Sequence, residues 1–225
     1  MLKKIAHRVI IDHKREDTMK KRQGFTLVEM SIVIVIVGLL LGMVLKGKEM
    51  ITNAKIQNIE NSFNSLAQAV SIYQERYHAL PGDDQWADLK FGDNEDISIT
   101  NGNGDGVIEG HFDSESKNDE ARLVWSHLRY ANLVLRVNAD NQQEQPANPY
   151  FGIIGISSNS LDNGAQGKNM PLFVGLTQIP GHIAIILESH SDDLIANKGR
   201  IRSNQNDYDE DNRTSQVKHK LYFSL

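Results

Sequence analysis

Cysteine is absent from this 225-residue sequence, and proline is scarce, with five residues in total and none between Phe25 and Leu80. Without cysteine, no disulfide can stabilise an exported domain, and thiolate catalysis and cysteine-ligated metal sites are excluded. Without proline, a helix through residues 25–80 has no kink from that residue. Charge is scarce in one place, because the single charged residue between Phe25 and Leu45 is Glu29.

The charges that are present divide the chain into a basic and an acidic part. The first 24 residues contain eight of the 24 Lys and Arg residues and three of the 29 Asp and Glu residues. The remainder therefore has 16 basic and 26 acidic residues and a formal charge of −10. Nucleic-acid binding needs Lys and Arg to neutralise phosphates, so this remainder argues against a nucleic-acid partner. A calcium ion is a better match than a nucleic acid for the negative charge of this remainder.

The apolar segment Phe25–Leu45 is 21 residues long. A helix needs about 20 apolar residues to cross a hydrocarbon core of about 30 Å, so the segment predicts a transmembrane helix. Three cations, Lys20, Lys21 and Arg22, precede it. The positive-inside rule places such a flank in the cytoplasm, which directs the carboxyl-terminal part of the chain outward.

Three simpler interpretations of this segment leave Glu29 unexplained. A secretory signal peptide has a shorter apolar region, about 7–15 residues, followed by small residues. An uncleaved anchor has no use for a carboxylate in its apolar segment, where the charge costs roughly 2.5–3.5 kcal/mol at the bilayer centre. A core helix of a soluble protein normally has a polar face. The carboxylate of Glu29 therefore needs a function of its own.

The residues around Glu29 read Lys-Arg-Gln-Gly-Phe-Thr-Leu-Val-Glu, from Lys21 to Glu29. This segment resembles the amino terminus of type IV pilins and type II secretion pseudopilins. The resemblance implies that a membrane-embedded prepilin peptidase cleaves between Gly24 and Phe25 and methylates the new amine of Phe25. It also implies that Glu29 pairs with the Phe25 amine of a neighbouring subunit, so that a buried charge sets the register of assembly.

The residues and the resemblance together predict an α+β protein with four segments. Residues 1–24 form a basic leader that is removed, and residues 25–45 form the transmembrane and assembly helix. Residues 46–79 continue this helix into the head, and residues 80–225 form a globular head with a small antiparallel β-sheet. A start at Met19 rather than Met1 would leave a leader of six residues, and both starts stay open.

An apolar stripe follows the membrane segment. Its members recur three and four residues apart, which is the spacing of one face of a helix. They are Ile56, Ile59, Phe63, Leu66, Val70, Tyr73 and Tyr77. A separate coiled coil is one interpretation, but the resemblance favours packing beneath the sheet of the same chain. Pro81 and Gly82 predict that the helix ends before Leu80.

The segment Asp93–Ile108 is rich in Asn, Asp and Gly. Oxygen-bearing side chains alternate there as in calcium loops, and Gly106 permits the turn. Phe112 stands where such loops have a bidentate glutamate, so a nearby acid, Glu109 or Asp113, must replace it. The predicted calcium ligands are Asn101, Asn103, Asp105 and Glu109. A turn-rich surface loop without a metal is the alternative.

The head is predicted to contain one helix and several strands. Residues Glu120–Val134 have the apolar periodicity of an amphipathic helix. Alternating or short apolar runs bounded by Gly and Pro predict strands at Tyr150–Ile156, Leu172–Leu176, His182–Leu187 and Lys218–Phe223. The acidic stretch Asp207–Arg213 is predicted to be a mobile loop.

No catalytic motif accompanies these elements. The histidines, His127 among them, lack a neighbouring nucleophile or carboxylate pair, and the sequence has no phosphate loop, zinc signature or nucleophile elbow. We therefore predict a non-enzymatic protein, a structural subunit of a type IV pilus-like or type II secretion pseudopilus filament. The alternative is a minor pilin-like binding module that the helix holds at a filament tip or in the membrane.

The predicted partners and location follow from the same resemblance. The partners are prepilin peptidase, other pilin or pseudopilin subunits, and the lipid of the inner membrane. The protein is expected in the bacterial inner membrane as a single-pass protein with its head in the periplasm. After processing, it is expected in a filament in the periplasm or at the cell surface.

Overall fold

The computed structural model describes residues 24–92, 99–135, 142–158, 170–191, 199–204 and 218–225. In these residues a long helix precedes a small antiparallel sheet and three shorter helices, which confirms the predicted α+β class. The chain divides into two units, residues 1–48 and residues 49–225, and the second is called the head unit below. The leader, apart from Gly24, and the stretch Asp207–Arg213 lie outside the described residues.

Helix α1 runs from Leu27 to Tyr77 and is 51 residues long. Its end before Leu80 confirms the prediction. His78 follows with a left-handed φ of 53°, which leaves the helical conformation. Every residue from 24 to 46 is exposed, although most are apolar.

In the head unit, α1 contributes its apolar stripe to the core. Five members of the stripe are at most 6% exposed, namely Ile56, Ile59, Leu66, Val70 and Tyr73. The other two, Phe63 and Tyr77, are partly buried against the same cluster. The rings of Phe63 and Phe223 are 5.4 Å apart between centroids. The stripe therefore packs within its own chain, as predicted, and does not form a separate coiled coil.

Two helices follow α1 in the chain before the first strand. Helix α2 is a short turn at Ala87–Phe91, and helix α3 covers Glu120–Tyr130. Helix α3 buries Trp125 and Leu128 completely. It ends four residues before the predicted Val134, because the chain turns at Asn132, whose φ is 57°. Asparagine adopts this left-handed conformation more readily than most residues.

The sheet has four antiparallel strands in the order β1-β2-β4-β3. They are β1 (Ile154–Ser157), β2 (Phe173–Pro180), β3 (Ile201–Ser203) and β4 (Lys218–Ser224). Strand β2 pairs with β4 over most of its length, with an irregularity between Leu176 and Ile179. Three predicted strands are confirmed with shifted bounds. Strand β3 was not predicted, because three residues are too few to show a period.

The predicted strand His182–Leu187 is wrong, because these residues belong to helix α4, Gly181–Ser191. A short apolar run does not distinguish a strand from a buried helix by its composition. The spacing of the buried residues does, since Ile183, Ala184 and Leu187 are one and four residues apart on one helix face.

Candidate functional site

The bond between Gly24 and Phe25 lies in non-helical backbone immediately before α1. Phe25 is 78% exposed, and a Cβ added to Gly24 would meet no atom within 4 Å. The fold therefore leaves this bond accessible to a peptidase and does not itself require glycine at position 24. A requirement for glycine there would come from the enzyme.

Glu29 and Thr26 form a capping box at the start of α1. The backbone N–H and the hydroxyl of Thr26 donate to Oε2 of Glu29 at 2.7 and 2.9 Å, and the Glu29 N–H donates to the Thr26 hydroxyl at 3.2 Å. Such a box satisfies backbone N–H groups that have no partner at a helix start. This capping box was not predicted, although Thr-x-x-Glu before an apolar run is its sequence signal. Glu29 thus has a role within the single chain.

Of the described helices, α1 alone is long and apolar enough to cross a membrane. The apolar window that meets this criterion has no buried residue. Exposed side chains there include Ile34 at 71%, Leu39 at 63% and Leu45 at 68%. Contiguous apolar surface of this extent is unfavourable in water, so lipid or other helices must cover it.

The loop after α1 is fixed to that helix by Asp84, which is 1% exposed. Its carboxylate accepts hydrogen bonds from the Tyr73 hydroxyl at 2.8 Å and the Trp86 N–H at 3.0 Å, and Lys90 Nζ lies 2.8 and 2.7 Å from its two oxygens. Burial favours the neutral acid, but these donors outweigh it and hold the pKa of Asp84 below its ordinary value. The ionised carboxylate connects the end of α1 to α2.

Gly82 connects the same loop to α3. Its φ is 94°, and a Cβ there would lie 2.6 Å from the Glu120 carbonyl oxygen, so glycine is required. The Gly82 N–H donates to Nδ1 of His127 at 2.9 Å, and Nε2 of that ring lies 2.9 Å from the Thr100 carbonyl oxygen. This pairing fits the tautomer that carries its proton on Nε2. Burial lowers the pKa of His127, so this packed residue is neutral at pH 7.

The acidic loop, residues 99–110, folds around two carboxylates that lie outside it. Asp83 accepts three backbone N–H groups of the loop, from Gly104 at 2.6 Å, Asp105 at 3.0 Å and Gly106 at 2.8 Å. Glu120, the first residue of α3, accepts the N–H groups of Asn103 at 2.8 Å and Glu109 at 3.0 Å. Both carboxylates are almost fully buried, so these bonds define the shape of the loop.

The four predicted calcium ligands have different surroundings. Asn101 uses its side-chain oxygen to accept the Asp88 N–H at 2.9 Å. Asn103 accepts the N–H of Asp105 at 2.8 Å and contacts its carboxylate at 3.3 Å. Glu109 takes part through its backbone N–H, which donates to the Glu120 carboxylate. Asp105 is the predicted ligand that joins a group of carboxylates.

That group consists of Asp83, Asp105 and Glu120, and one ligand oxygen of each lies within 4.8 Å of the others. Calcium–oxygen bonds of about 2.4 Å place opposite ligands roughly 4.8 Å apart, so the three oxygens fit part of one calcium shell. Burial, together with the charges of Asp83 and Asp105, raises the pKa of Glu120. A cation would offset this repulsion. Calcium binding stays a prediction, with Asp83 and Glu120 in the cluster where Asn101 and Glu109 were expected.

Asp83 and Glu120 were missed because they do not belong to the alternating motif. Asp83 is 22 positions before Asp105, and Glu120 is 17 positions after Asn103. In the sequence, Asp83 is recognisable only as the residue after a Pro-Gly turn, and Glu120 only as an acid at a predicted helix start. Neither signal indicates that the two carboxylates meet inside one loop.

Comparison with known protein families agrees with the amino-terminal geometry. A family model described as the prokaryotic N-terminal methylation motif matches residues 19–45. This motif is the signature of the prepilin-type substrates, the type IV pilins and pseudopilins. The chain therefore carries at its amino terminus the motif that is typical of prepilin peptidase substrates. No curated protein and no solved structure matches the chain.

Proposed function

We propose that this protein is a structural, non-enzymatic subunit of a helical filament of the type IV pilus or type II secretion pseudopilus kind. The observation that carries the proposal is the exposed apolar part of α1, which lies within the segment that matches the methylation motif. Lipid covers this surface before assembly. Stacking against the same helix of other subunits would cover it afterwards, so the surface fits both states of a filament subunit.

Processing supplies the positive partner that Glu29 needs. Cleavage between Gly24 and Phe25 creates an amine at Phe25, about one helical turn before Glu29. In the filament, the amine of one subunit pairs with the carboxylate of another. An unpaired charge in apolar surroundings is unfavourable by several kcal/mol, so the pair favours one register of the stacked helices.

The head unit has a core of its own, so it would form the outer part of such a filament without needing other subunits to complete its fold. Its core includes α1 residues, α3, α4 and all four strands. Lys20, Lys21 and Arg22 favour retention of the leader side in the cytoplasm, which puts the head in the periplasm before assembly. Calcium, through Asp83, Asp105 and Glu120, would stabilise the loop of the head and would not take part in a reaction.

Filaments sheared from producing cells would test the proposal. Mass spectrometry of the sheared fraction should find this protein with Phe25 at its amino terminus and one added methyl group. Cells without prepilin peptidase serve as the control and should retain the full-length precursor in their membranes. Processed protein that stays in the membrane fraction, with none in filaments under conditions where filaments form, would contradict a structural subunit and favour an anchored binding module.

A further inference from the structure

Phe151 is the most exposed large apolar residue in the described part of the chain, at 94%. A single exposed apolar side chain is ordinary. Phe151, however, also has a φ of 63°, a left-handed conformation that is unfavourable for a bulky residue and that Gly or Asn adopts more easily. Both the backbone and the ring are therefore in unfavourable states.

The turn around Phe151 is built rigidly from residues 148–152. Asn148 is 5% exposed, and its side-chain oxygen accepts the N–H groups of Tyr150 at 2.8 Å and Gly152 at 3.2 Å. Its side-chain amide donates to the Thr177 carbonyl at 2.7 Å. The Phe151 N–H donates to the Asn148 carbonyl at 3.1 Å. These bonds hold the Phe151 ring in solvent, and the turn is called the Phe151 knob below.

The same head unit carries a groove of about 730 Å³ that is lined mainly by apolar atoms. Its apolar lining includes Leu66, Trp125, Leu133, Val134, Leu135 and Ile154, and these residues define the apolar groove. Leu135, at its rim, is 89% exposed. The indole N–H of Trp125 is buried and has no acceptor among the described residues. An occupant with an apolar side chain would cover the apolar lining, and a backbone carbonyl of the occupant would accept a hydrogen bond from the Trp125 N–H.

We propose that the Phe151 knob of one copy of this chain docks in the apolar groove of another copy. The exposure of Phe151 shows that it does not fill the groove of its own chain. Charge does not set the pairing, because Arg129 and Glu144 both line the groove and interact with each other. The feature that matches the knob is the apolar lining, which suits an uncharged aromatic ring. Knob and groove are different surfaces, so each contact leaves one knob and one groove free. The contacts then continue from copy to copy in an open chain, unless the rotation between copies closes a ring.

This contact deepens the proposed function and rests on it, since an open chain of contacts between heads is what a filament needs. Cross-linking tests it directly, because the sequence has no native cysteine. Pro149→Cys places a thiol in the knob and Leu135→Cys places one at the groove. With both in the full-length protein, a short bismaleimide added to producing cells should give a ladder of dimers, trimers and larger products.

Three controls decide whether the ladder reports this contact. Each single cysteine variant should stay monomeric, and Pro149→Cys with Leu89→Cys, a 73% exposed residue on α2, should give no ladder. Adding Phe151→Asn to the first pair should lower its cross-linked fraction about ten-fold, as expected for loss of an aromatic anchor. Dimers from Pro149→Cys alone would show that knobs meet each other. That result, or equal products from both pairs, would overturn the proposal.

A stability measurement separates docking from a structural role of Phe151. Phe151→Asn relieves backbone strain, so the full-length protein in detergent should keep its Tm or gain roughly 2 °C. Its incorporation into filaments should nevertheless fall about ten-fold. The exposed control Leu89→Asn should change neither quantity. A clear drop in Tm for Phe151→Asn would make the ring a structural element and would contradict docking.

The outcome for the contact can be distinguished from the outcome for the proposed function. Normal filaments without the 149–135 cross-link would overturn the knob contact and leave the filament role intact. Processed protein that never enters filaments would contradict the filament role. In those cells, cross-linking of membrane-bound copies would still show whether the knob and the groove meet.

Discussion

Ile34 and Ile59 belong to the same helix, yet Ile34 is 71% exposed and Ile59 is 1% exposed. Both have the same side chain and differ only in their surroundings. In the head unit, the stripe of α1 meets the core that α3, α4 and the strands build. Residues 24–46 are all exposed, so none of the residues that the structure describes buries this part of the helix. The first region is stable through its own chain, and the second depends on lipid or on other subunits.

The largest expected effect concerns the start of the exposed region. Gly24→Val should abolish cleavage, because a small residue is expected to be needed before the scissile bond, and immunoblots should find only the full-length precursor. Gly42→Val is the matched control, because a Cβ meets no atom within 4 Å at either glycine. That control should be processed like the parent. Equal amounts of mature protein from both variants would contradict the assigned cleavage site.

The matched isoleucines test the comparison most simply. Ile59→Ala should lower the free energy of unfolding of the head by about 2–5 kcal/mol, because it leaves a cavity in the core. Ile34→Ala should leave it within about 0.5 kcal/mol of the parent, because Ile34 is 71% exposed. Urea unfolding of the full-length protein in detergent, followed by Trp fluorescence, measures both. Similar losses would mean that the exposed part of α1 supports the head.

Acid should destabilise the head through His127. Burial lowers the pKa of His127 in the fold, so its contribution is fully present above the unfolded value of about 6.5 and is lost as pH falls through the folded pKa. The loss is at most about 1.4 kcal/mol per pH unit. His219 shifts in the same direction, and Glu120 shifts in the opposite sense.

A substitution isolates the contribution of His127 from these other groups. His127→Asn should be less stable than the parent at pH 7.5, because it loses a ring with two hydrogen bonds. Between pH 7.5 and 5.5, however, its unfolding free energy should fall less than that of the parent. Parallel pH profiles of the two proteins would contradict the neutral, buried state of His127.

The smallest expected effect concerns calcium at the acidic loop. Calcium at ten times its Kd would stabilise the head by about 1.4 kcal/mol. Asp105→Ala should therefore lower the Tm in calcium and have no comparable effect in chelator, because it removes one of the three clustered carboxylates. Glu115→Ala, an exposed acid, is the control. Equal shifts of Asp105→Ala in both buffers would favour a loop held by Asp83 and Glu120 without a metal.

Periodic features of the molecule were predictable from the sequence. The stripe from Ile56 to Tyr77 and strand β4 follow from the spacing of apolar residues, and the exposed helix follows from the length of its apolar run. Helix α4 was assigned to a strand because its apolar run is short, and β3 is shorter still. The carboxylate cluster required contacts between Asp83, Asp105 and Glu120, and a local motif carries no information about residues that approach only in the folded chain.

The backbone conformation of the turn at Phe151 was also not predictable from the sequence. The left-handed φ of Phe151 is determined by the bonds that Asn148 makes across the turn. Phenylalanine at that position does not predict a left-handed conformation, whereas Gly or Asn would. The capping box is a different case, because Thr26 and Glu29 do form a recognisable local motif. It was missed because the resemblance to pilins already offered an intermolecular role for the carboxylate.

Incorporation of Glu29→Leu into filaments tests the central claim, assembly through the exposed part of α1, most directly. The variant should be processed and held in the membrane in normal amounts, because it removes an unfavourable charge from the apolar segment. Sheared filaments should contain little or none of it, because the Phe25 amine of the adjacent subunit loses its partner. Thr26→Val keeps the carboxylate and loses only the hydroxyl bonds, so it should be incorporated better than Glu29→Leu. Parental incorporation of Glu29→Leu would contradict the account.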